Sequence, residues 1–482
     1  MTGTRSAPGG RRRLTRSSSP SWQALPARDG EPHSWGSAWW RRPSWLVAAT
    51  VLSVAIPLGD DSVASGTTHA SPGDAVSLVL VVIAGALWMR GRVRVPVAVT
   101  LVIAGVVVAA ALSTEFSPEP ATSLVGWVRQ TQVFVLVPLA VMVAVRDRRD
   151  VSVVVGSVVA LGTVEALVGV WQTVTHDGAS YAGKLIRAVG TFGALDVMAM
   201  ATVCGMALVM AVSLALTARD GRRRALLLGV VAVLAAGLAC SLSRGSWIAA
   251  LAGLLVVLVR FDVKLAFRLG LCALALATVV VGGFGIGSGT IGTRTRSILD
   301  SVNDPDRSVG DRYALWGTAE GMWQDHPVTG VGIKNFPVFR DAYAPPRLSG
   351  ASDTADSVTG FVREPLLSPH DQYLLMLSEQ GLLGAGAFVL ALGAVQVGLW
   401  RRSRAVDGHW LLCVGTTTSI TVNFLYSDMG GPTTVLVGIV LGLAARHTWP
   451  VASGPASASD SAPAPAPAPA PASGSASVEG AW

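Results

Sequence analysis

The chain has 482 residues, of which 51% are hydrophobic and only 14% charged. Soluble domains carry about a quarter charged residues, so this composition excludes an ordinary soluble enzyme and indicates a polytopic membrane protein. The net charge of +7 does not indicate nucleic acid: the cations stand in short clusters between apolar runs, and no aromatic-basic recognition motif accompanies them.

Residues 1–43 contain Arg11-Arg12-Arg13 with serines and prolines but no compact apolar cleavable segment, and read as a disordered cytoplasmic leader. Apolar stretches of membrane length follow. They predict about twelve transmembrane helices, nine within 44–285 and three within 371–446: 44–59, 75–89, 95–113, 122–145, 151–173, 194–217, 225–242, 246–260, 264–285, 371–400, 409–426 and 432–446. One long polar interruption, residues 286–370, separates the two sets. Residues 447–482, rich in Ala-Pro repeats, read as a disordered cytoplasmic tail. The fold class is therefore an all-α polytopic membrane protein with one large loop.

The arginines fix the orientation. With the N-terminus inside, alternate turns hold Arg90, Arg92 and Arg94; Arg146, Arg148 and Arg149; Arg219 and Arg222 to Arg224; Arg260 and Lys264; Arg401, Arg402 and Arg404; and Arg446. Basic loops stay in the cytoplasm, so both termini are expected inside and the long loop outside the cell membrane. The opposite turns are acidic or neutral, with Asp60, Asp61, Glu115, Glu119 and Asp428. Lys184 and Arg187, then Arg244, are the exceptions, and His370 joins them from the long loop.

An arginine at the lipid interface is costly unless it snorkels or meets an anion. Arg187 and Arg244 match the bidentate geometry of a diphosphate, or they bind head groups and cap helices as structural cations. His370 is a candidate general base or a structural histidine. Ser368 and Pro369 read as the start of the tenth helix, which puts His370 at a helix N-terminus with Asp371 beside it. Within the loop, Ser308-Val309-Gly310-Asp311 resembles a capping box before an amphipathic helix bearing Tyr313, Trp316, Glu320 and Trp323, ending near Asp325-His326-Pro327. Arg129 and Glu165 are ionisable residues inside spans. Arg129 is expected to reach the same outer site; Glu165 is expected to pair with an arginine or line a polar cavity. Cys204, Cys240, Cys272 and Cys413 lie in or beside apolar spans, without metal-ligand spacing.

Three segments resemble the O-antigen ligase/polymerase superfamily of bacterial membrane glycosyltransferases. Arg187-Ala188-Val189-Gly190-Thr191-Phe192 looks like its Arg-x-x-Gly-Thr-Phe turn, and Ser243-Arg244-Gly245 like its Ser-Arg-Gly segment. Arg312, Trp316, His326-Pro327, Gly330-Val331-Gly332, Asn335-Phe336, Tyr343, His370 and Gly381-Leu382-Leu383-Gly384 follow the order of its long loop and next helix. The resemblance implies a lipid-phosphosugar transferase fold and transfer of a glycan from undecaprenyl diphosphate to a saccharide or glycolipid acceptor. It implies no metal and no cofactor. His370 falls at the family's loop histidine, Arg187 and Arg244 at its phosphate-facing arginines, and Arg312 at its loop arginine. Where the family has Asn after the histidine, this chain has Asp371. Ligase and polymerase differ only in acceptor. A multi-pass transporter is the competing reading, although its sites would lie near the bilayer midplane.

Overall fold

The computed structural model describes residues 42–56, 71–90, 93–181, 185–193, 198–283, 307–349, 352–356, 360–364, 366–402, 407–429, 431, 433 and 434–453. Most of the predicted leader and tail, Lys184 and the first part of the long loop lie outside those residues.

Helices build the fold. In chain order they are α1 (Ser44–Ser53), α2 (Pro72–Met89), α3 (Val97–Glu115), α4 (Pro120–Thr131), α5 (Val137–Ala144), α6 (Arg148–Thr175), α7 (Ala199–Thr217), α8 (Gly221–Cys240), α9 (Arg244–Phe261) and α10 (Val263–Gly283). A π turn at Gln132–Leu136 joins α4 to α5 as one rod. The long loop contributes α11 (Arg307–Asp325) and α12 (Phe336–Tyr343), and α13 (Gln372–Arg401), α14 (Gly408–Asn423) and α15 (Thr434–Thr448) complete the bundle. Each predicted span overlaps a helix. Among the described residues eight helices are long and apolar enough to cross a membrane, and the chain is a membrane protein on that ground.

Burial separates inner from outer helices. α7 is buried along most of its length, whereas α8 and α9 expose apolar residues such as Leu226, Leu228, Leu251 and Leu255. A helix apolar on its exposed face is dressed for lipid. Glycines allow the closest crossings. A Cβ on Gly162 would fall 2.4 Å from that of Ala207, and one on Gly253 would fall 2.6 Å from the Gly415 carbonyl oxygen.

The long loop has its own small core. Ala314, Leu315, Ala319 and Met322 of α11 pack with Val331, Phe336, Leu348 and Leu366, and the cluster rests on Leu374 and Leu375 of α13. The apolar face of α11 is thus buried against protein. α11 begins at Arg307, one residue before Ser308, so the predicted capping serine lies inside the first turn. A two-stranded sheet pairs β1 (Val93–Arg94) with β6 (Ala452–Ser453), and short antiparallel strands β2 (Ala179–Tyr181), β3 (Leu185–Arg187), β4 (Ser352–Asp356) and β5 (Gly360–Glu364) form a second sheet in the order β3-β2-β4-β5. That sheet stitches the turn carrying Arg187 to the long loop.

α13 is not one continuous helix. Gly381 adopts φ 60°, ψ −161°, and the helix breaks there. Loop residues 327–332 restore the missing backbone bonds. Val331 N–H donates to the Ser378 carbonyl (3.0 Å) and Gly332 N–H to that of Glu379 (2.8 Å); Leu382 and Leu383 N–H donate to Pro327 and Val328 carbonyls (2.9 and 3.2 Å). Breaking a helix near lipid is tolerable only when its orphan groups find protein partners, and this splice supplies them. Glycine is needed on both sides: a Cβ on Gly330 would lie 2.3–2.5 Å from the Glu379–Gln380 backbone, and one on Gly381 2.3 Å from Val328. Gln130 and Gln380 exchange amide hydrogen bonds beside it.

Candidate functional site

The predicted arginines are positioned by helix ends and turns. Ser243 caps α9 by accepting from Ser246 N–H, which places Arg244 at the first helical position with its side chain exposed. Leu242, in the turn before it, has φ 51°. Arg187, at the end of β3, donates from Nη2 to the Leu242 carbonyl (3.1 Å), and Ala188 N–H donates to the Cys240 carbonyl. The Arg187 guanidinium therefore lies against the turn that leads into Arg244, at the N-terminus of α9, where the helix dipole favours an anion.

The Arg-x-x-Gly-Thr-Phe turn is folded over α6 by two polar side chains. Gln172 Oε1 accepts from Val189 and Gly190 N–H (3.0 and 2.9 Å). Glu165, fully buried, accepts from Thr191 N–H (2.9 Å) and is hydrogen-bonded to Thr191 Oγ1 (2.7 Å). Glu165 thus holds this turn through Thr191, where the sequence suggested an arginine partner or a cavity. Gly190 leaves room for that carboxylate, since a Cβ there would come within 2.0 Å of Glu165 Oε2.

The turn after α14, residues 423–429, gathers the remaining residues. Gly245, next to Arg244, packs on Tyr426, and a Cβ there would lie 2.5 Å from the tyrosine Cβ. Arg312 of α11 donates to the Tyr426 carbonyl (3.2 Å). Four residues further along α11, Trp316 Nε1 donates to the Pro369 carbonyl (3.0 Å), immediately before His370. Gln372 N–H donates to the Phe424 carbonyl (2.8 Å), its Oε1 accepts from Met429 N–H (2.7 Å), and Tyr373 Oη donates to the Thr421 carbonyl (2.9 Å). A continuous run of contacts thus links Arg187, Arg244, Arg312 and the segment bearing His370.

His370 does not occupy the first turn of a helix. α13 begins at Gln372 with Asp371 as its N-cap, and half-buried His370 precedes the cap at φ 50°. Its N–H points toward Ser368 Oγ (3.3 Å). The left-handed backbone turns the chain out of the incoming loop and sets the imidazole just outside the helix axis. Asp371 turns its carboxylate to its own helix, where Oδ1 accepts from Leu374 N–H (2.9 Å). Burial raises the Asp371 carboxyl above the ordinary carboxylate value, against the hydrogen bonds from Leu374 and Tyr373 N–H; Asp428 adds to the rise.

Arg129 is placed elsewhere. It forms an ion pair with Asp74, which also closes the capping box of α2 with Ser71. Among the described residues no cluster of three His, Cys, Asp or Glu side chains is arranged to hold a metal ion. The sequence reading missed Tyr426, Asn423 and Gln372. Asn423 bonds Ser246 of α9 (3.4 Å) and Thr202 of α7 (3.3 Å), so it fixes the underside of the arginine corner. A polar residue at the end of an otherwise apolar span was its available signal.

The profile of the O-antigen ligase family matches residues 229–389, which contain Arg244, Arg312, His370 and Asp371 but neither Arg187 nor Arg129. No curated protein matches the chain. Among solved structures, a chain from "Structural coordination of polymerization and crosslinking by a peptidoglycan synthase complex" superposes with a TM-score of 0.38 at 14% identity, covering 74% of this chain and 97% of that one. The motifs quoted from the sequence fall in or beside the matched region, and over those residues the chain is similar to the O-antigen ligase family.

Proposed function

We propose that this protein is a membrane glycosyltransferase that moves a glycan from undecaprenyl diphosphate to a surface polysaccharide or glycolipid on the extracytoplasmic face. The observation that carries the reading is the arginine corner at the start of α9, with Arg187 seated on Leu242 and Arg244 two residues on. The similarity of residues 229–389 to the O-antigen ligase family supports the reaction class, and the alternation of basic turns supports the outer location of the corner.

In this reading Arg187 and Arg244 grip the diphosphate, with Arg312 beside them. Guanidinium groups stay charged and pair with phosphate oxygens in a fork, so they stabilise the diphosphate most as it departs. His370 accepts the proton of an acceptor hydroxyl while that oxygen attacks the anomeric carbon. The new C–O bond forms, the bond from the anomeric carbon to the phosphate oxygen breaks, and undecaprenyl diphosphate leaves with the electron pair. Trp316 and Arg312 fix the two ends of this site through backbone carbonyls. Whether the acceptor is a growing glycan or another envelope molecule decides between polymerase and ligase.

The test is reconstitution of the full chain in proteoliposomes with a labelled undecaprenyl-diphosphate glycan and a set of acceptors. Covalent transfer that depends on His370 and persists in a chelator is expected. Movement of the labelled lipid across the bilayer without any new glycosidic bond would replace this reading with a carrier.

A further inference from the structure

The turn that carries Arg187 rests on a carboxyl group whose hydrogen bonds can be counted. Glu165 lies within α6 with no exposed surface. Met200 of α7 reaches the Gly190 turn beside it, and Cys204 Sγ donates to the Gly162 carbonyl one turn earlier in α6 (3.7 Å). Among the described residues no lysine or arginine forms an ion pair with Glu165. A bare carboxylate in such surroundings is costly, and a buried group without a counter-charge ordinarily gives up its own charge.

The bonds to Thr191 place a proton on it. Thr191 Oγ1 stands 3.0 Å from the Ala55 carbonyl oxygen, just beyond the end of α1, and 2.7 Å from Glu165 Oε1. A hydroxyl has one hydrogen to donate, and a carbonyl can only accept. If that hydrogen went to an ionised Glu165, the Thr191 and Ala55 oxygens would face each other with nothing between them. If it goes to Ala55, Thr191 Oγ1 accepts from Glu165, and the carboxyl must carry the hydrogen. The second carboxyl oxygen, Oε2, accepts from Thr191 N–H (2.9 Å). A carboxylic acid offers one donor and one acceptor side by side, and Thr191 presents the complementary pair.

We infer that Glu165 is held as a carboxylic acid and, through Thr191, is a positioning residue that aims the Arg187 guanidinium. The acid ties three elements together: α6, the end of α1 and the turn. Gln172, seven residues along the same face of α6, fixes Val189 and Gly190 between Arg187 and Thr191. Arg187 is thus set against the Leu242 carbonyl from a turn anchored twice on one helix. Glutamine has the same donor and acceptor at its tip, so it can take the place of the acid. Alanine removes both bonds. The proton is assigned from the hydrogen bonds alone; its consequence for transfer rests on the glycosyltransferase reading.

Two measurements on the purified full chain in detergent need no transfer. Infrared difference spectra at neutral pH compare wild type with Glu165→Gln, and the substitution is expected to remove a protonated-carboxyl C=O band. Removal of carboxylate bands instead would overturn the acid. Hydrogen exchange over residues 185–193, read by mass spectrometry, is expected to match wild type in Glu165→Gln and to quicken roughly tenfold in Glu165→Ala, the scale of a lost buried hydrogen bond. Thr191→Val keeps the shape of the side chain without its hydroxyl and repeats this test should Glu165→Ala fail to fold. Unchanged exchange in the folded variant would overturn the hold on the turn.

In the transfer assay Glu165→Ala is expected to lower kcat/KM for the donor roughly tenfold, and Glu165→Gln to restore it. Because the acid acts through Arg187, Glu165→Ala should add little to the loss already caused by Arg187→Ala. Independent losses that multiply in the double variant would overturn the positioning role. If wild type transfers no glycan, the glycosyltransferase reading fails, while the infrared and exchange results still decide the acid and its hold on the turn.

Discussion

Two polar regions meet on α13 and are built on opposite principles. Around its start, Arg187 and Arg312 donate to main-chain carbonyls, and Trp316 holds the carbonyl just before His370. Nine residues along the helix from Gln372, the splice at Gly381 binds backbone to backbone, with Gly330 and Gly381 at its closest approaches. The first arrangement positions charged side chains through main-chain carbonyls; the second uses four backbone hydrogen bonds to hold a broken helix. Because both share the first turns of α13, the splice sets where the imidazole stands. Rigid support beneath a half-exposed site is what a positioned catalytic group requires.

The largest effect is expected at the splice. Gly330→Ala adds a Cβ against the Glu379–Gln380 backbone, which cannot swing aside as a side chain would, and it does so at φ 69°. The combined penalty is on the order of 3–5 kcal/mol, read as a collapse of the thermal unfolding midpoint in detergent. A midpoint within a few degrees of wild type would mean that the loop does not thread the break as described.

Changes at His370 should separate the regions. His370→Asn keeps a residue tolerant of left-handed backbone, so folding should survive while transfer falls about 10²- to 10⁴-fold, the usual contribution of a general base. Retention of full transfer by a well-folded His370→Asn protein would remove the base from the mechanism. A smaller change is expected from Trp316→Phe, which deletes the bond to the Pro369 carbonyl and keeps the ring. We expect about 1 kcal/mol of stability to be lost and kcat to drop severalfold with little change in donor KM. A larger shift in donor KM than in kcat would place Trp316 at the donor instead.

Much of the helical frame was legible because lipid imposes long apolar runs, and those runs overlap the observed helices. Arg187 and Arg244 stood out in the sequence as cations in turns expected to be acidic or neutral, and the structure sets Arg187 against Leu242, two residues before Arg244. The splice was not. Gly330, Gly332 and Gly381 are separated by up to 51 positions in the sequence numbering, and nothing local in Gln380-Gly381-Leu382 distinguishes a helix break from a helical glycine. The role of Glu165 was hidden similarly, since its partner Thr191 lies beyond the end of its helix. His370 was identified by type, while its place before the cap depended on Asp371 taking the N-cap.

Asp371 provides the finest test, because it stands between the two regions. Asp and Asn cap helices about equally well, so Asp371→Asn changes the charge with little change in the cap. Burial raises the folded-state pKa of Asp371 above its ordinary value of 3.8, so the folded protein binds the proton more tightly than the unfolded chain. Its contribution to stability is present below that ordinary value and is lost as pH rises through the raised folded value. The helix dipole and the Leu374 N–H pull the other way, and the prediction is that burial prevails. Melting curves across the acid range should therefore show Asp371→Asn gaining on wild type as pH increases. If the wild type instead gains, the carboxylate is better solvated than its surroundings imply, and a charge beside His370 becomes available to stabilise the imidazolium formed when it accepts a proton.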